Sequence, residues 1–209
     1  MNTTLLTLIC ALCSYLVGAA NPAIILSTTI YRKDIRGLGS GNPGFTNFMR
    51  VFGKKWAWLV LTLDCSKAIV LCTVFGLLFR SNVGSFQLGA AIAGLFAVLG
   101  HCFPVWYGFE GGKGFLAFIT AVYFMDWRAG LIATAVLLLV LALSRYMSLA
   151  SLLAVVTGTV AIVLLGFYSK WVLICCLLAA ILVIVRHRDN IMRLAKGTET
   201  RFKVGKKEK

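Results

Sequence analysis

The chain has 209 residues, of which 60% are hydrophobic and only 13% are charged, and its formal net charge is +14. About a quarter of the residues in a soluble domain are charged, so this composition excludes an ordinary soluble fold and indicates an integral membrane protein. The Lys and Arg residues lie between and after the apolar runs. This arrangement argues against nucleic-acid binding and is typical of the basic cytoplasmic side of a membrane protein.

The first apolar run extends from Thr4 to Ile30. Its early part, Leu5 to Val17, has the character of a signal-peptide core, but no positively charged segment precedes it, so we expect it to stay as a membrane span. Most of the seven cysteines lie in apolar runs, where a thiol behaves as a small hydrophobic group. Cys10 and Cys13 form a C-x-x-C without a second pair, so we predict neither a metal site nor a disulfide framework.

Four further runs approach or reach the roughly 20 apolar residues that cross a bilayer. They are Trp56 to Phe79, Phe86 to Phe103, Leu149 to Tyr168 and Trp171 to Val185. A less regular run, from Phe115 to Leu143, is interrupted at Asp126-Trp127-Arg128. It is therefore either one broken helix or two short helices.

The distribution of basic residues decides between these two arrangements. With two helices, the loops Tyr31 to Lys55, Pro104 to Gly114 and Ser144 to Ser148 share one side with the tail from Arg186, and that side holds 17 of the 21 Lys and Arg. Short basic loops stay in the cytoplasm. We therefore predict an all-α integral membrane protein with seven transmembrane helices, the N-terminus outside and the C-terminus cytoplasmic.

The segment Phe115 to Phe124 covers only about half of a roughly 30 Å apolar core at about 1.5 Å per residue. We therefore expect short re-entrant or interfacial segments beside the spans. Residues 1–209 are predicted to form a single membrane-embedded domain, with a basic cytoplasmic tail from about residue 200. For Lys203 to Lys209 we expect only a topological role and contact with anionic lipid.

The first predicted cytoplasmic loop contains the glycine-rich segment G-S-G-N-P-G-F-T-N-F-M-R. Asn42 before Pro43 predicts a helix N-cap with proline at the first helical position, which places backbone amides at an end that attracts anions. Ser40 adds a side-chain donor, and Arg50, one turn after Thr46, adds a charged fork suited to phosphate. The alternative is a glycine-rich turn before a capped helix with a membrane-facing arginine.

A second glycine-rich loop, G-G-K-G, precedes the short run from Phe115. It is not a Walker A loop, because Gly114 follows Lys113 where Ser or Thr is required and no Gly lies five residues before Gly112. Nucleotide hydrolysis is therefore not expected. An unpaired lysine at membrane depth is costly, which makes Lys113 a functional candidate. The alternative is a lysine whose charged end reaches the membrane surface.

The third polar stretch, H-R-D-N-I-M-R-L-A-K-G-T-E, begins at His187 after the last apolar run. On a continuing helix, His187 and Asn190 share one face. Asp64 and Lys67, three residues apart within the second run, can neutralise each other, and a structural pair is the favoured interpretation. Ser151 is either a polar residue at a helix start or part of a site.

Together the patterns G-S-G-N-x-G-x-T-N-x-x-R, G-H-x-x-P with G-G-K-G, and H-x-x-N-I-x-R-L-x-x-G-T-E resemble the bacterial acyl-phosphate:glycerol-3-phosphate acyltransferase (PlsY) family, over nearly the whole chain. The resemblance implies transfer of a fatty acyl group from acyl phosphate to the 1-hydroxyl of sn-glycerol 3-phosphate. The products are lysophosphatidic acid and phosphate, and neither a metal nor a cofactor is implied.

The resemblance also implies a set of site residues. Those implied to bind substrate or phosphate are Ser40, Asn42, Thr46, Arg50, His101, Gly112, Lys113, Ser151, His187 and Asn190, with Glu110 in support. Lys113, His187 and Ser40 are predicted to be catalytic. The implied partners are glycerol 3-phosphate, acyl phosphate, membrane lipid and the soluble enzyme that makes acyl phosphate, with the active site facing the cytoplasm.

Two departures from the family pattern concern the acyl groove and the packing near Lys113. Ala68 stands where the family usually has a glycine after an intramembrane D-x-x-K, and Phe115-Leu116-Ala117 stand where it usually has Val-Ala-Thr. An acyl phosphate already has a good leaving group, so the reaction needs two phosphates held near one carbonyl more than it needs a base. His187 is the most suitable protein base, but we expect it to bind phosphate while a substrate phosphate oxygen accepts the hydroxyl proton.

Two competing functions remain. Broken helices also build transport sites, so a transporter or flippase for a phosphorylated solute is the first alternative. The chain shows no obvious internal repeat, and its polar motifs gather on one side of the membrane, which argues against it. The second is an acyl-CoA-dependent acyltransferase of the H-x-x-x-x-D class, but neither His101 nor His187 has an Asp five residues later.

Overall fold

The computed structural model describes residues 2–166 and 168–202, and these residues contain ten α-helices and two 3₁₀ turns. The helices are α1 (Thr3–Ala19), α2 (Pro22–Tyr31), α3 (Phe45–Phe52), α4 (Lys54–Val83), α5 (Phe86–Cys102), α6 (Phe115–Met125), α7 (Trp127–Ser144), α8 (Met147–Leu165), α9 (Lys170–Arg186) and α10 (Arg188–Ala195). The 3₁₀ turns are Ile35–Gly37 and Val105–Tyr107. The predicted basic segment Lys203 to Lys209 lies outside the described residues.

The first apolar run forms two helices rather than one. α1 ends at Ala19, and Asn21 caps α2 by accepting a hydrogen bond from the Ile24 N–H at 3.1 Å, with Pro22 at the first helical position. Taken together, Thr3–Tyr31 is still long and apolar enough to cross a membrane once. The break leaves the carbonyls at the end of α1 available to partners elsewhere in the chain.

The interruption near residue 126 separates two helices, as the arrangement of basic residues predicted. Asp126 caps α7 by accepting from the Arg128 N–H at 2.8 Å and forms an ion pair with the Arg128 guanidinium at 2.7 Å. The Tyr168 hydroxyl donates to the same carboxylate at 2.7 Å. α6, with 11 residues, is much shorter than α7, with 18 residues.

The described chain has five helical segments that are long and apolar enough to cross a membrane. α9 and α10 form a sixth candidate, bent by 54° between its two parts. Large apolar side chains face outward, including Leu143 on α7 and Leu164 on α8, which are 80% and 77% exposed. Exposed leucines at this density need a lipid environment, so the protein is a multi-pass membrane protein.

Helix α5 lies at the centre of the bundle and contacts α1, α4, α6 and α9. Glycines let it approach α1 closely, because a Cβ on Gly100 would lie 2.1 Å from the Tyr15 carbonyl oxygen. The Tyr15 hydroxyl donates to the Phe103 carbonyl oxygen at 2.8 Å. These contacts fix the end of α5 and the loop that follows it against the end of α1.

Candidate active site

A cavity of about 210 Å³ lies at the end of the bundle where the polar motifs meet. Nine of the ten predicted binding residues line it: Ser40, Asn42, Thr46, Arg50, His101, Lys113, Ser151, His187 and Asn190. The tenth, Gly112, lies directly before Lys113 but does not line the wall. The structure therefore brings the three separated motifs to one place.

The first glycine-rich loop is shaped by Asn47, which the sequence analysis did not single out. The Asn47 amide oxygen accepts from the Ser40 N–H at 2.9 Å, and its NH₂ group donates to the Leu38 carbonyl oxygen at 2.9 Å. Gly39 has a φ of +61°, and a Cβ there would lie 2.3 Å from the Asn47 oxygen. Asn47 thus holds the loop in the curve that presents Ser40 to the cavity.

The predicted N-cap at Asn42 and helix start at Pro43 are wrong. α3 begins at Phe45, with Gly44 at the cap position and no side-chain capping bond. The Pro43 carbonyl instead accepts from the Asn21 amide at 3.1 Å, which ties this segment to the break between α1 and α2. The Asn42 side chain is consequently free to line the cavity.

The second glycine-rich loop turns back against the end of α5. The Gly112 N–H donates to the His101 carbonyl oxygen at 3.0 Å. A Cβ on Gly112 would lie 2.3 Å from His101 Nε2, so the loop can approach this closely only with glycine there. Gly114, with a φ of +76°, then leads into α6. Lys113 is carried by a short segment packed on the buried His101.

Lys113 belongs to a hydrogen-bonded network with the third motif. Its Nζ donates to the Asn190 amide oxygen, and the Asn190 NH₂ donates to Glu199 Oε1 at 2.8 Å. The same carboxylate accepts from Ser148 Oγ at 2.9 Å and from Arg193 Nε at 2.7 Å. Neither Glu199 nor Arg193 was predicted as a site residue, although both belong to the quoted third motif.

The charges in this network follow from burial and pairing. Burial lowers the pKa of Lys113 to about 8, although the nearby charge of Glu199 opposes the effect. Burial alone would raise the pKa of Glu199, but its hydrogen bonds from Arg193, Asn190 and Ser148 outweigh this and lower the pKa. Glu199 is therefore a carboxylate at neutral pH, while Lys113 remains a cation close to its titration range.

The predicted continuous helix through His187 is wrong. The His187 N–H donates to the carbonyl of Ile184, three residues earlier, at 2.9 Å, which is a 3₁₀-type bond and not the four-residue bond of an α-helix. α9 therefore ends at this point, and α10 continues at an angle of 54° to it. His187 and Asn190 nevertheless both line the cavity. The ring Nδ1 lies 2.7 Å from the Val183 carbonyl oxygen. Because a carbonyl can only accept, Nδ1 carries the proton and Nε2 of the neutral ring has a lone pair.

The predicted ion pair between Asp64 and Lys67 is present, with a distance of 2.8 Å, and it belongs to a larger buried cluster. His101 Nδ1 lies 3.3 Å from the same carboxylate oxygen. Lys67 Nζ also donates to the carbonyls of Gly18 at 3.0 Å and Ala20 at 2.9 Å. This buried cluster joins the end of α1 to α4 and α5, and its Asp64 reaches the cavity wall.

Two cations at the cavity lack a carboxylate partner. Lys67 is neutralised by Asp64 and Arg193 by Glu199, whereas Arg50 and Lys113 have no carboxylate oxygen within 4.0 Å in the described part of the chain. Part of the wall is apolar and includes Leu61, Phe115, Leu116 and Leu137. The cavity thus combines unpaired positive charge with an apolar surface.

Some predicted residues lie elsewhere. Glu110 is outside the cavity, with its side chain 79% exposed and 3.7 Å from Arg36. Of the residues that depart from the family pattern, Phe115 and Leu116 line the cavity, while Ala68 is fully buried away from it. Among the described residues, no group of three or more His, Cys, Asp or Glu is placed to hold a metal ion.

Comparison with known proteins places this geometry in a family. Residues 8–197 match the model of the family described as glycerol-3-phosphate acyltransferase. The chain is 40% identical over 205 residues to the glycerol-3-phosphate acyltransferase of Jannaschia sp. (strain CCS1), covering 98% of this chain and 96% of the relative. It is also 40% identical over 195 residues to that of Thermoanaerobacter pseudethanolicus, covering 92% and 93%.

Two solved structures are similar over almost the whole chain. One is the crystal structure of PlsY, an integral membrane glycerol 3-phosphate acyltransferase, in its glycerol 3-phosphate form, with a TM-score of 0.85, 33% identity and coverage of 94% of this chain and 96% of that chain. The other is its lysophosphatidic acid form, with a TM-score of 0.81, 32% identity and coverage of 95% and 96%. The chain therefore belongs to the glycerol-3-phosphate acyltransferase family.

Proposed function

We propose that this membrane protein transfers a fatty acyl group from acyl phosphate to the 1-hydroxyl of sn-glycerol 3-phosphate and so forms lysophosphatidic acid and phosphate. The observation that carries the proposal is the pair of cations, Arg50 and Lys113, that face one cavity without carboxylate partners in the described chain. Both substrates bear a phosphate. The relatives' activity and the glycerol 3-phosphate and lysophosphatidic acid forms of the similar structure support the acceptor and the product.

The reaction needs little covalent chemistry from the protein. The 1-hydroxyl oxygen attacks the acyl carbonyl, the new ester bond forms, and the bond between the acyl carbon and the phosphate oxygen breaks. Phosphate leaves with the bonding electrons, and the hydroxyl proton passes to a phosphate oxygen. Cations that hold both phosphates align the hydroxyl with the carbonyl and stabilise the negative charge that develops.

The other polar side chains suit phosphate or glycerol oxygens. The hydroxyls of Ser40, Thr46 and Ser151 and the amide of Asn42 line the cavity, and none has a hydrogen-bond partner within the described residues. Polar groups left without protein partners at a pocket are suited to bind a ligand. We assign them to the two phosphates and the glycerol hydroxyls, and the apolar wall to the beginning of the acyl chain.

The positive-inside bias supports the membrane orientation that goes with this function. We propose seven spans, with α6 as the short one, the N-terminus outside, and the cavity at the cytoplasmic end. A cytoplasmic site gives access to glycerol 3-phosphate and to the soluble enzyme that makes acyl phosphate. The 209 residues then act as one membrane-embedded domain with a basic cytoplasmic end.

The donor is tested with purified protein in lipid, given labelled glycerol 3-phosphate and either acyl phosphate or acyl-CoA. We expect lysophosphatidic acid from acyl phosphate alone. Product from acyl-CoA alone would contradict the proposed donor and leave the acceptor intact. No product from either donor, with protein shown to be folded, would favour a transporter for a phosphorylated solute.

The neutral His187 ring has no N–H left for a phosphate oxygen, because its Nδ1–H faces the Val183 carbonyl, so the expected phosphate-binding role does not fit this tautomer. The Nε2 lone pair can instead accept a hydrogen bond from a glycerol hydroxyl or act as the base, and the pH dependence of the alanine variant distinguishes these two roles. If a phosphate oxygen accepts the reacting proton, His187→Ala raises KM for glycerol 3-phosphate but keeps the shape of the kcat profile against pH. Loss of a pKa from that profile would identify His187 as the base.

The titration of Lys113 predicts a loss of affinity in alkaline solution. Because its pKa is lowered to about 8, Lys113 is charged below pH 8 and becomes neutral above it. A bound phosphate favours the charged form, so binding above pH 8 must take up a proton, and KM rises by up to about tenfold per pH unit. The measurement is KM for glycerol 3-phosphate from pH 7 to 9.5. A Lys113→Arg variant stays charged, and an equal rise in that variant would contradict the assignment.

A further inference from the structure

Arg186 contacts the Lys113 loop from outside the cavity. It ends α9, and its guanidinium donates through Nη2 to the Gly111 carbonyl at 2.8 Å and through Nε to the Gly112 carbonyl at 3.0 Å. The guanidinium carbon also lies 5.2 Å from the centre of the Phe103 ring. Arg186 does not line the cavity. It therefore binds the two residues immediately before Lys113 without reaching the ligand space.

Few hydrogen bonds other than those from Arg186 hold the backbone of this loop. Between Gly111 and Lys113, the Gly112 N–H bond to the His101 carbonyl is the one backbone hydrogen bond within the described residues. Glycine has more backbone freedom than any other residue, so Gly111-Gly112 would sample many conformations without external contacts. Arg186 supplies two of these contacts, and the His101 carbonyl supplies the third.

The orientation of the two carbonyls also matters for an anion. A carbonyl oxygen that turned toward the cavity would place partial negative charge next to a bound phosphate. The arginine fork is planar and holds the two carbonyls through separate nitrogens in a fixed geometry, whereas a lysine has one flexible nitrogen for both. By binding both carbonyls outside the cavity, Arg186 keeps them away from the ligand space and leaves Lys113 as the nearest charge of this loop.

We propose that Arg186 is a positioning residue for acyl transfer, which acts by fixing the Gly111-Gly112 backbone so that Lys113 reaches the substrate phosphate. The proposal rests on the proposed function of Lys113 at this site. It assigns to Arg186 no contact with either substrate. A residue that acts in this way loses its effect when the group it positions is removed.

The test compares three variants in kcat/KM for glycerol 3-phosphate with acyl phosphate as the donor. We expect Arg186→Gln to lower kcat/KM about 100-fold, which is the effect expected when a reacting group is misplaced by about 1 Å. Arg186→Lys, which keeps the charge but not the fork, is expected to lose about tenfold. Arg188→Gln is the matched control, because Arg188 carries the same charge two residues later and is exposed beside Asp189. We expect it to stay within about twofold of wild type.

A double variant separates positioning from a general structural role. If Arg186 acts through Lys113, Arg186→Gln combined with Lys113→Ala is no worse than Lys113→Ala alone, within about threefold, measured at high enzyme concentration. Multiplied losses, or equal losses in the Arg186 and Arg188 variants, would overturn the proposal. An inactive wild type would instead reject the proposed function, and an active wild type with an unaffected Arg186→Gln variant would reject this inference alone.

Discussion

Replacing Lys113 with alanine is expected to lower kcat/KM for acyl transfer to glycerol 3-phosphate about 1,000-fold. Removal of one aligned donor from a site that stabilises developing charge costs about 100- to 1,000-fold, and we expect a charged donor to lie at the upper end of this range. Lys113 is one of the two cavity cations without a carboxylate partner in the described chain. The measurement is the initial rate of labelled lysophosphatidic acid formation in lipid, over a range of glycerol 3-phosphate concentrations.

The control for this variant is a lysine far from the cavity. Lys170→Ala removes the same charge at the start of α9, where the lysine packs over Trp171. We expect that variant to retain wild-type kinetics. A Lys113→Ala enzyme within tenfold of wild type would show that the remaining cation and amides suffice for phosphate binding, and would contradict the central role of this loop.

Replacing Lys67 with methionine is expected to destabilise the folded protein by about 3 to 5 kcal/mol, because it leaves the buried Asp64 carboxylate without its main partner. The variant also removes the donors for the Gly18 and Ala20 carbonyls. We expect a lower midpoint of thermal unfolding in detergent. Unfolding is measured through the exposure of the buried cysteines. The activity of the remaining folded fraction reports separately on the site.

A second substitution shows whether the buried charge is the cause. The double variant Asp64→Leu with Lys67→Met removes both charges and is expected to recover much of the lost stability. Arg188→Ala, which breaks an exposed ion pair with Asp189, is expected to change the midpoint very little. A double variant as unstable as Lys67→Met would show that the carbonyl contacts, and not the charge on Asp64, dominate.

Much of the fold could be predicted because membrane helices are encoded locally. Apolar runs of sufficient length predicted α4, α5, α8 and α9, and the basic loops correctly favoured two helices around Asp126. The polar site residues could be found for the same reason. In a chain this apolar, burial of a polar residue such as Lys113 or Asn190 costs free energy, so such residues are expected at functional sites. Both line the cavity.

The remaining features depend on contacts between distant segments. The Asn42-Pro43 pattern predicted a helix start, but the Pro43 carbonyl is bound by Asn21 and α3 begins later. Local sequence at Asn47 gives no sign that its side chain folds the loop around Ser40. The role of Glu199 depends on the approach of three side chains from α8 and α10, which no spacing along the chain encodes.

The cavity draws its walls from residues that are far apart in the sequence, from Ser40 to Phe202. The Phe202 N–H donates to the Arg145 carbonyl at 2.6 Å, so the last described residues fold back to the turn between α7 and α8. During synthesis, Arg50 and Lys113 leave the ribosome long before Glu199 does. A nascent chain that ends before residue 199 therefore lacks the carboxylate that pairs with Arg193, and substrate cannot meet a complete site until Glu199 has been added and has folded back.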